Sequence, residues 1–321
     1  MKKIILLPII LGSALLVSGA VLLGIGIANS TKSLEREAKT YQDLGSFNNL
    51  NIKLSTADLE FYKADDDKAK VVADETSVDK YTVSVTNNTL SIEYKDLRQW
   101  YQRVFTWYVN PLKVKVYLPE ETYSDLNIYT ATGNSTLPSV FTFNNIDYKA
   151  STGDLLLESK VINNVKIEAS TGNNVIRNIE TKNISIEAST GDVKLEKVDA
   201  SEDISIKLST GKTNLDTVNS KTLNIKVSTG NVNLTNVIIQ EDVNIKTSTG
   251  NVKFSDFDGA LVEGKKIFIK TDTGDIKGEF LTSKIIFVKK DTGTPSYPQS
   301  TEGSICNIET DTGKIVITFK N

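Results

Sequence analysis

The sequence predicts an all-β chain: a β-solenoid of about ten coils of 19–20 residues, preceded by a β-rich N-terminal cap and one N-terminal transmembrane helix. Three observations predict it. A short motif ending in Thr-Gly recurs ten times, with its glycines at Gly133, Gly153, Gly172, Gly191, Gly211, Gly230, Gly250, Gly274, Gly293 and Gly313. The steps between them are 20, 19, 19, 20, 19, 20, 24, 19 and 20 residues, a period that belongs to stacked coils. Apolar residues alternate with polar ones on both sides of each glycine, and an apolar run opens the chain.

Residues 1–28 form that opening run. Met1-Lys2-Lys3 is followed by apolar sequence from Ile4 to Ala28, broken only by Pro8, Ser13, Ser18 and glycines. Such a run is long enough to cross a bilayer as a helix and exceeds the usual ~7–15 residue core of a signal peptide. Gly26 before Ala28 keeps cleavage open as the alternative. Lys2 and Lys3 hold the N-terminus in the cytoplasm, so the expectation is a single-pass cell-membrane protein with its C-terminal domain extracellular. Residues 29–46 are charged and read as a stalk.

Residues 47–125 read as the cap. Strands are predicted at Leu50 to Leu54, Leu59 to Tyr62, Lys70 to Ala73, Tyr81 to Val85, Leu90 to Tyr94 and Leu112 to Leu118. Asn87-Asn88 suits the hairpin turn between two of them. Ser55-Thr56-Ala57-Asp58 repeats the corner motif with alanine in place of glycine and marks a degenerate first coil.

Residues 126–321 carry the repeats. Around Gly191, Ile184, Ile186, Ala188, Val193, Leu195 and Val198 occupy positions −7, −5, −3, +2, +4 and +7 from the glycine. That is the alternation of two half-buried strands meeting at a corner. Ile204, Ile206, Leu208, Leu215 and Val218 fill the same register around Gly211. The glycine supplies a turn with φ > 0, and Ser, Asp and Asn beside it bond the backbone. The 24-residue step places its extra residues at 258–266, away from the glycine, so the glycine side is the tight one. Thr294-Pro295-Ser296-Tyr297-Pro298 replaces the strand expected after Gly293, and that coil is expected to bulge outward. The final strand region, Ile315 to Phe319, leaves strand edges for end-to-end self-association.

The N-terminal strands, Val114-x-Val116-x-Leu118-Pro119 and the Ser-Thr-Gly-Asp/Asn coils together resemble the bacterial putative-adhesin β-solenoid domain, over residues 47 to 321. The resemblance implies membrane-anchored proteins of Gram-positive bacteria, some linked to Lia-type cell-envelope stress responses. It implies no catalytic motif and no cofactor.

Charge and composition narrow the function. A net charge of −3 excludes a generally basic nucleic-acid binder. One cysteine, Cys306 at a −7 position, permits no internal disulfide and reads as a small buried hydrophobe. The absence of histidine removes the commonest general base and any Ser-His or Cys-His pair. A polysaccharide-active β-helix enzyme would use Asp272, Asp275, Asp291 and Asp311 as acids, but the loops are too short to build a cleft over the coils. The same four aspartates are the candidates for a calcium site. Turn capping is the commoner use of such residues, so no metal or cofactor is expected.

The binding candidates lie where the repeat varies. Outward position −4 holds Lys207, Lys226 and Lys246 next to serines, a ladder able to attract an anionic cell-wall polymer or acidic membrane surface. Trp100, Tyr101, Phe105, Trp107 and Tyr108, interleaved with Arg98 and Arg103, have the composition of a protein-binding hot spot or of packing over the solenoid end. Phe268 and Phe287 are expected to stack at outward position −6. The reading is a non-catalytic, adhesin-like binding module of the cell envelope. The alternative is a sensor or regulator that contacts a membrane protein in an envelope-stress system.

Overall fold

A computed structural model describes residues 35–99 and 111–320. The predicted membrane segment lies outside the described residues, as do Trp100, Tyr101, Arg103, Phe105, Trp107 and Tyr108. Among the described residues no helix is long and apolar enough to cross a membrane. They form a single 23-stranded sheet wound around one apolar core.

The Thr-Gly corner sets the coil spacing. Stacked glycines have φ between +129° at Gly191 and +154° at Gly313, a region closed to residues with a Cβ. A Cβ on Gly191 would also overlap the carbonyl oxygen of Gly172 in the coil before it. The ladder therefore passes straight through the corner: the Gly172 amide donates to the Thr190 carbonyl at 3.0 Å and the Gly191 amide to Thr210 at 3.0 Å. Residues at +1 add a second ladder, because their side-chain oxygens accept from the next coil's backbone rather than from their own turn. Asp154 accepts from the Asn173 amide at 2.7 Å, Asn173 from Asp192 at 2.9 Å, and Asp192 from Lys212 at 2.8 Å. Lysine has no acceptor, so the ladder stops at Lys212 and resumes where Asn231 accepts from Asn251.

Each coil has three faces. Strand residues before the glycine make the first, and positions −7, −5 and −3 bury their side chains as the alternation requires. Positions +2 and +4 are buried on the second face. A second corner follows at +6, where Asn178, Lys197, Thr217, Asn236 and Asp256 take φ of 48° to 59°. It turns +7 and +9 inward onto a third face, as with Val198 and Ala200. The long 259–265 loop leaves from that third side.

The N-terminal end is built from an insertion. The first coil is β2 (Asn49–Lys63), following β1 (Glu37–Tyr41). Ala57 stands at its corner, and Leu50 through Thr56 pair in register with Leu126 through Thr132 of β7 (Thr122–Thr132). The degenerate first coil is thus confirmed. Between them come β3 (Lys70–Glu75), β4 (Asp79–Thr86), β5 (Thr89–Asp96) and β6 (Leu112–Leu118). Strands β5 and β6 lie parallel to the two halves of β2, and β4, β3 and β1 then close the end with antiparallel pairing. Asn87 and Asn88, with φ of 50° and 60°, form the expected hairpin turn. Part of the segment read as a stalk is consequently structured: β1 pairs with β3, and the Tyr41 hydroxyl donates to the buried Glu75 carboxylate at 2.5 Å.

Strands β8 (Ser135–Leu137) to β18 (Val252–Asp258) continue the stack in chain order, and the C-terminal end then departs from sequence order. Here β19 (Lys266–Thr273) and β20 (Ile276–Phe280) are covered by β22 (Ser304–Thr312) and β23 (Ile315–Phe319). Strand β21 (Lys284–Lys290) lies outside β22. Nine glycines therefore stack, Gly313 directly on Gly274, while Gly293 at φ +81° meets only Lys290. The expectation of ten sequential coils is corrected to nine glycine coils plus the Ala57 coil. Proline explains the order. Pro295 and Pro298 offer no N–H, so their segment is acceptable only as the outermost layer, where Ser296 alone bridges β23.

A buried ion pair ties this cap down. Lys284 Nζ lies 2.5 Å from Asp258 and donates to the Thr282 hydroxyl at 2.8 Å, while Thr282 donates to Asp258 at 2.8 Å. Nearby Cys306 is fully buried, and burial pushes its thiol up to about 12.

Two predictions follow from the stack. Gly191→Ala combines φ strain with a carbonyl overlap and should cost roughly 3–5 kcal/mol, whereas Gly293→Ala should cost about 1–2 kcal/mol from φ alone. Equal losses in urea melts would show that glycine stacking is not the constraint. Cys306 should resist a thiol reagent at pH 8 in the native protein, its thiol being protonated well above that pH, and react at once in denaturant.

Candidate functional site: the outward face before the glycine corner

On the first face of the coils two outward rows, −4 and −2, run beside the tight corner. Parallel pairing fixes the −4 row as Lys53, Tyr129, Lys149, Glu168, Glu187, Lys207, Lys226, Lys246, Lys270, Glu309 and Lys289. Glu309 therefore separates Lys270 from Lys289, so Lys207, Lys226, Lys246 and Lys270 are four lysines in succession where chain order, with Lys289 next, gives five.

A groove of about 810 Å³ runs along the N-terminal part of this face, between Tyr129 with the charged row on one side and Ser151, Ser170 and Ser189 on the other. Its floor follows the −3 residues. Ala150, Ala169 and Ala188 each retain 7% exposure, whereas Leu208 and Val227 retain 1%, so the surface dips where the side chain is small. The groove walls neutralise themselves. Lys149 lies 3.3 Å and Lys166 2.6 Å from Glu168, which those lysines hold below the usual carboxylate range, Lys166 contributing most. This groove was missed in the sequence, although the run of alanines at −3 signals it.

A smaller cavity of about 400 Å³ continues along the same face, lined by Lys226, Lys246, Phe268, Lys270 and Glu309 among others. The three lysines singled out from sequence differ here. Lys207 pairs with Glu187 at 3.6 Å, and Lys246 Nζ stands 5.1 Å from the centre of the Phe268 ring. Lys226 is exposed and has no carboxylate within salt-bridge distance among the described residues. Lys270 is held by Asp272 at 3.3 Å, a hydrogen bond that raises its pKa above the ordinary lysine value. Phe268 and Phe287 do not stack, because Asn307 of β22 lies between them in register.

Of the four aspartates only Asp272 and Asp311 come together, set side by side between the register pairs Thr271–Thr310 and Thr273–Thr312. Asp272 faces Lys270, and Asp291 follows β21 outside the stack. Asp275 is bound by Lys277 at 2.9 Å and accepts from the Lys314 amide at 2.8 Å, and these two contacts hold its carboxyl below the usual range, Lys277 first. Among the described residues no three acidic, histidine or cysteine side chains are grouped to hold a metal.

At the root of the aromatic insertion, Arg98 is not displayed outward. Its guanidinium bonds Asp79 at 3.0 Å, Asp96 at 2.7 Å and the Tyr94 hydroxyl at 2.6 Å. Strands β5, ending at Asp96, and β6, beginning at Leu112, pair with the two sides of the Ala57 corner.

Solved structures similar to the chain include a putative adhesin from Bacteroides fragilis, at 14% identity over 89% of this chain and 97% of that one, with a TM-score of 0.39. A putative cell adhesion protein from Clostridium sporogenes shares 12% identity over 88% and 100%, with a TM-score of 0.23. A putative lipid binding protein from Parabacteroides distasonis shares 13% over 89% and 97%, with a TM-score of 0.30. No curated protein matches the chain. The model of the Toastrack DUF4097 family matches residues 47–318, from the start of the cap to the last strand. The chain therefore belongs to the Toastrack DUF4097 family, in agreement with the resemblance carried by its Ser-Thr-Gly corners.

Proposed function

We propose that this chain is a non-catalytic, adhesin-like binding module, held outside the cell membrane by its N-terminal apolar segment. Its ligand is an anionic surface polymer lying along the coil axis. The observation that carries this reading is the Lys226–Lys246–Phe268 cavity, where an unpaired ammonium, a second on an aromatic ring and an apolar wall line one trough. A linear polyanion meets successive lysines at the coil spacing of ~4.8 Å. Acidic side chains on the face are occupied by lysines, Asp272 and Glu309 of the cavity by Lys270, and Cys306 is buried, which supports binding rather than catalysis.

A second reading is a regulator of an envelope stress response that contacts a membrane protein through the aromatic insertion. The Arg98 network favours it by fixing the root of that insertion to the cap.

Binding of the full chain to purified cell walls should weaken with salt, and Lys226→Glu with Lys246→Glu should lower affinity about 5–10-fold per lysine, from roughly 1 kcal/mol per contact. Retained, salt-insensitive binding by the double variant would overturn the polymer reading. Capture of a membrane protein by a photo-crosslinker at Trp100 or Trp107, with no wall binding, would support the second.

A further inference from the structure

The two ends of the solenoid are finished differently. At the N-terminal end, β1 is a short edge of five residues carrying Glu37 and Lys39, and β4 presents Lys80, Thr82, Ser84 and Thr86 along its length. At the C-terminal end, the second face is closed by the segment containing Pro295 and Pro298, which cannot extend a ladder. Strand β21 relies on its lysines alone, with Lys284 turned inward and Lys289 and Lys290 together at one end. It is seven residues long, pairs among the described residues with β22 alone, and carries Phe287 at 57% exposure. Val288, Tyr297 and Phe319 cover the core beside it only in part.

We propose that β21 is a self-association edge, and that a second copy of this chain pairs with it antiparallel about a two-fold axis near Phe287. The charges on the strand favour its own copy. Lys284 is neutralised inside the chain by Asp258 and Lys289 sits beside Glu309 in register, which leaves Lys290, at one end of the strand, as its one uncompensated charge. Antiparallel pairing centred on Phe287 sets Lys289 opposite Ile285 and Lys290 opposite the already paired Lys284. No two uncompensated lysines then face each other across the ladder. The two Phe287 rings meet on the outward face, and the ladder gains a partner for every free backbone group of β21. Because the contact is isologous it closes at two copies and produces no fibre. The paired molecules lie end to end, with their outward −4 and −2 rows on a common face.

The only native cysteine, Cys306, is buried and leaves the background clean. Phe287→Cys in the full chain should give a reducible dimer on mild oxidation. Val262→Cys, at 46% exposure on the 259–265 loop, should give none. In detergent solution, sedimentation across micromolar concentrations should show a dimer for the wild type and a monomer for Phe287→Asp, a surface change that leaves the core intact. Equal cross-linking at 262 and 287, or a wild type that stays monomeric throughout, would overturn the proposal.

Discussion

The fold depends on one close approach, between the carbonyl oxygen of each corner glycine and the Cα of the next. Only a residue without a Cβ lets two coils come near enough for the amide-to-threonine bond across the corner, 3.0 Å from Gly172 to Thr190. Every other ladder inherits that spacing. The +1 carboxamides reach the next backbone amide, and toward the C-terminus the buried −3 threonines return a bond to the same carbonyls, Thr271 to Gly250 at 2.8 Å. A wider corner would loosen both adjoining faces at once. This is why length variation collects at the third side, far from the glycine.

The same regularity decides how much could be read without coordinates. Period, alternation and the positive φ demanded at glycine are each written in residue type, so the coils, the Ala57 corner and the Asn87-Asn88 turn were legible. The second corner was not, because Asn178, Lys197, Thr217, Asn236 and Asp256 share a backbone conformation and no chemistry. The order of the last strands was also hidden. Gly293 closes the same Asp-Thr-Gly as Gly313, and the signs against its coil, Lys290 at −3 and the missing donors of Pro295 and Pro298, mark it as irregular without showing which strand stacks on β19. Surface charge was half legible: rows follow from the period, whereas the Lys207–Glu187 pair and the Lys246–Phe268 contact needed neighbours from adjacent coils.

Pairing between rungs shapes what the outward face offers. Exposed ion pairs such as Lys149–Glu168 contribute ~0.2–1 kcal/mol each, too little to matter for the stack. Their larger effect is to cancel charge along the N-terminal groove and leave it concentrated around Lys226. The face is thereby divided into a neutral stretch floored by alanine and a cationic stretch walled by phenylalanine, although one repeat builds both.

The out-of-order final coil also bears on how the molecule is made. A chain that folds as it is synthesised from its N-terminus can add each coil to the last as it emerges, up to β20. There the process must pause: β21 has no rung to join until residues 304–319 have followed it out and slipped beneath. Completion of the stack thus requires residues 304–319, and a molecule ended before them leaves β19 and β20 as a raw rung.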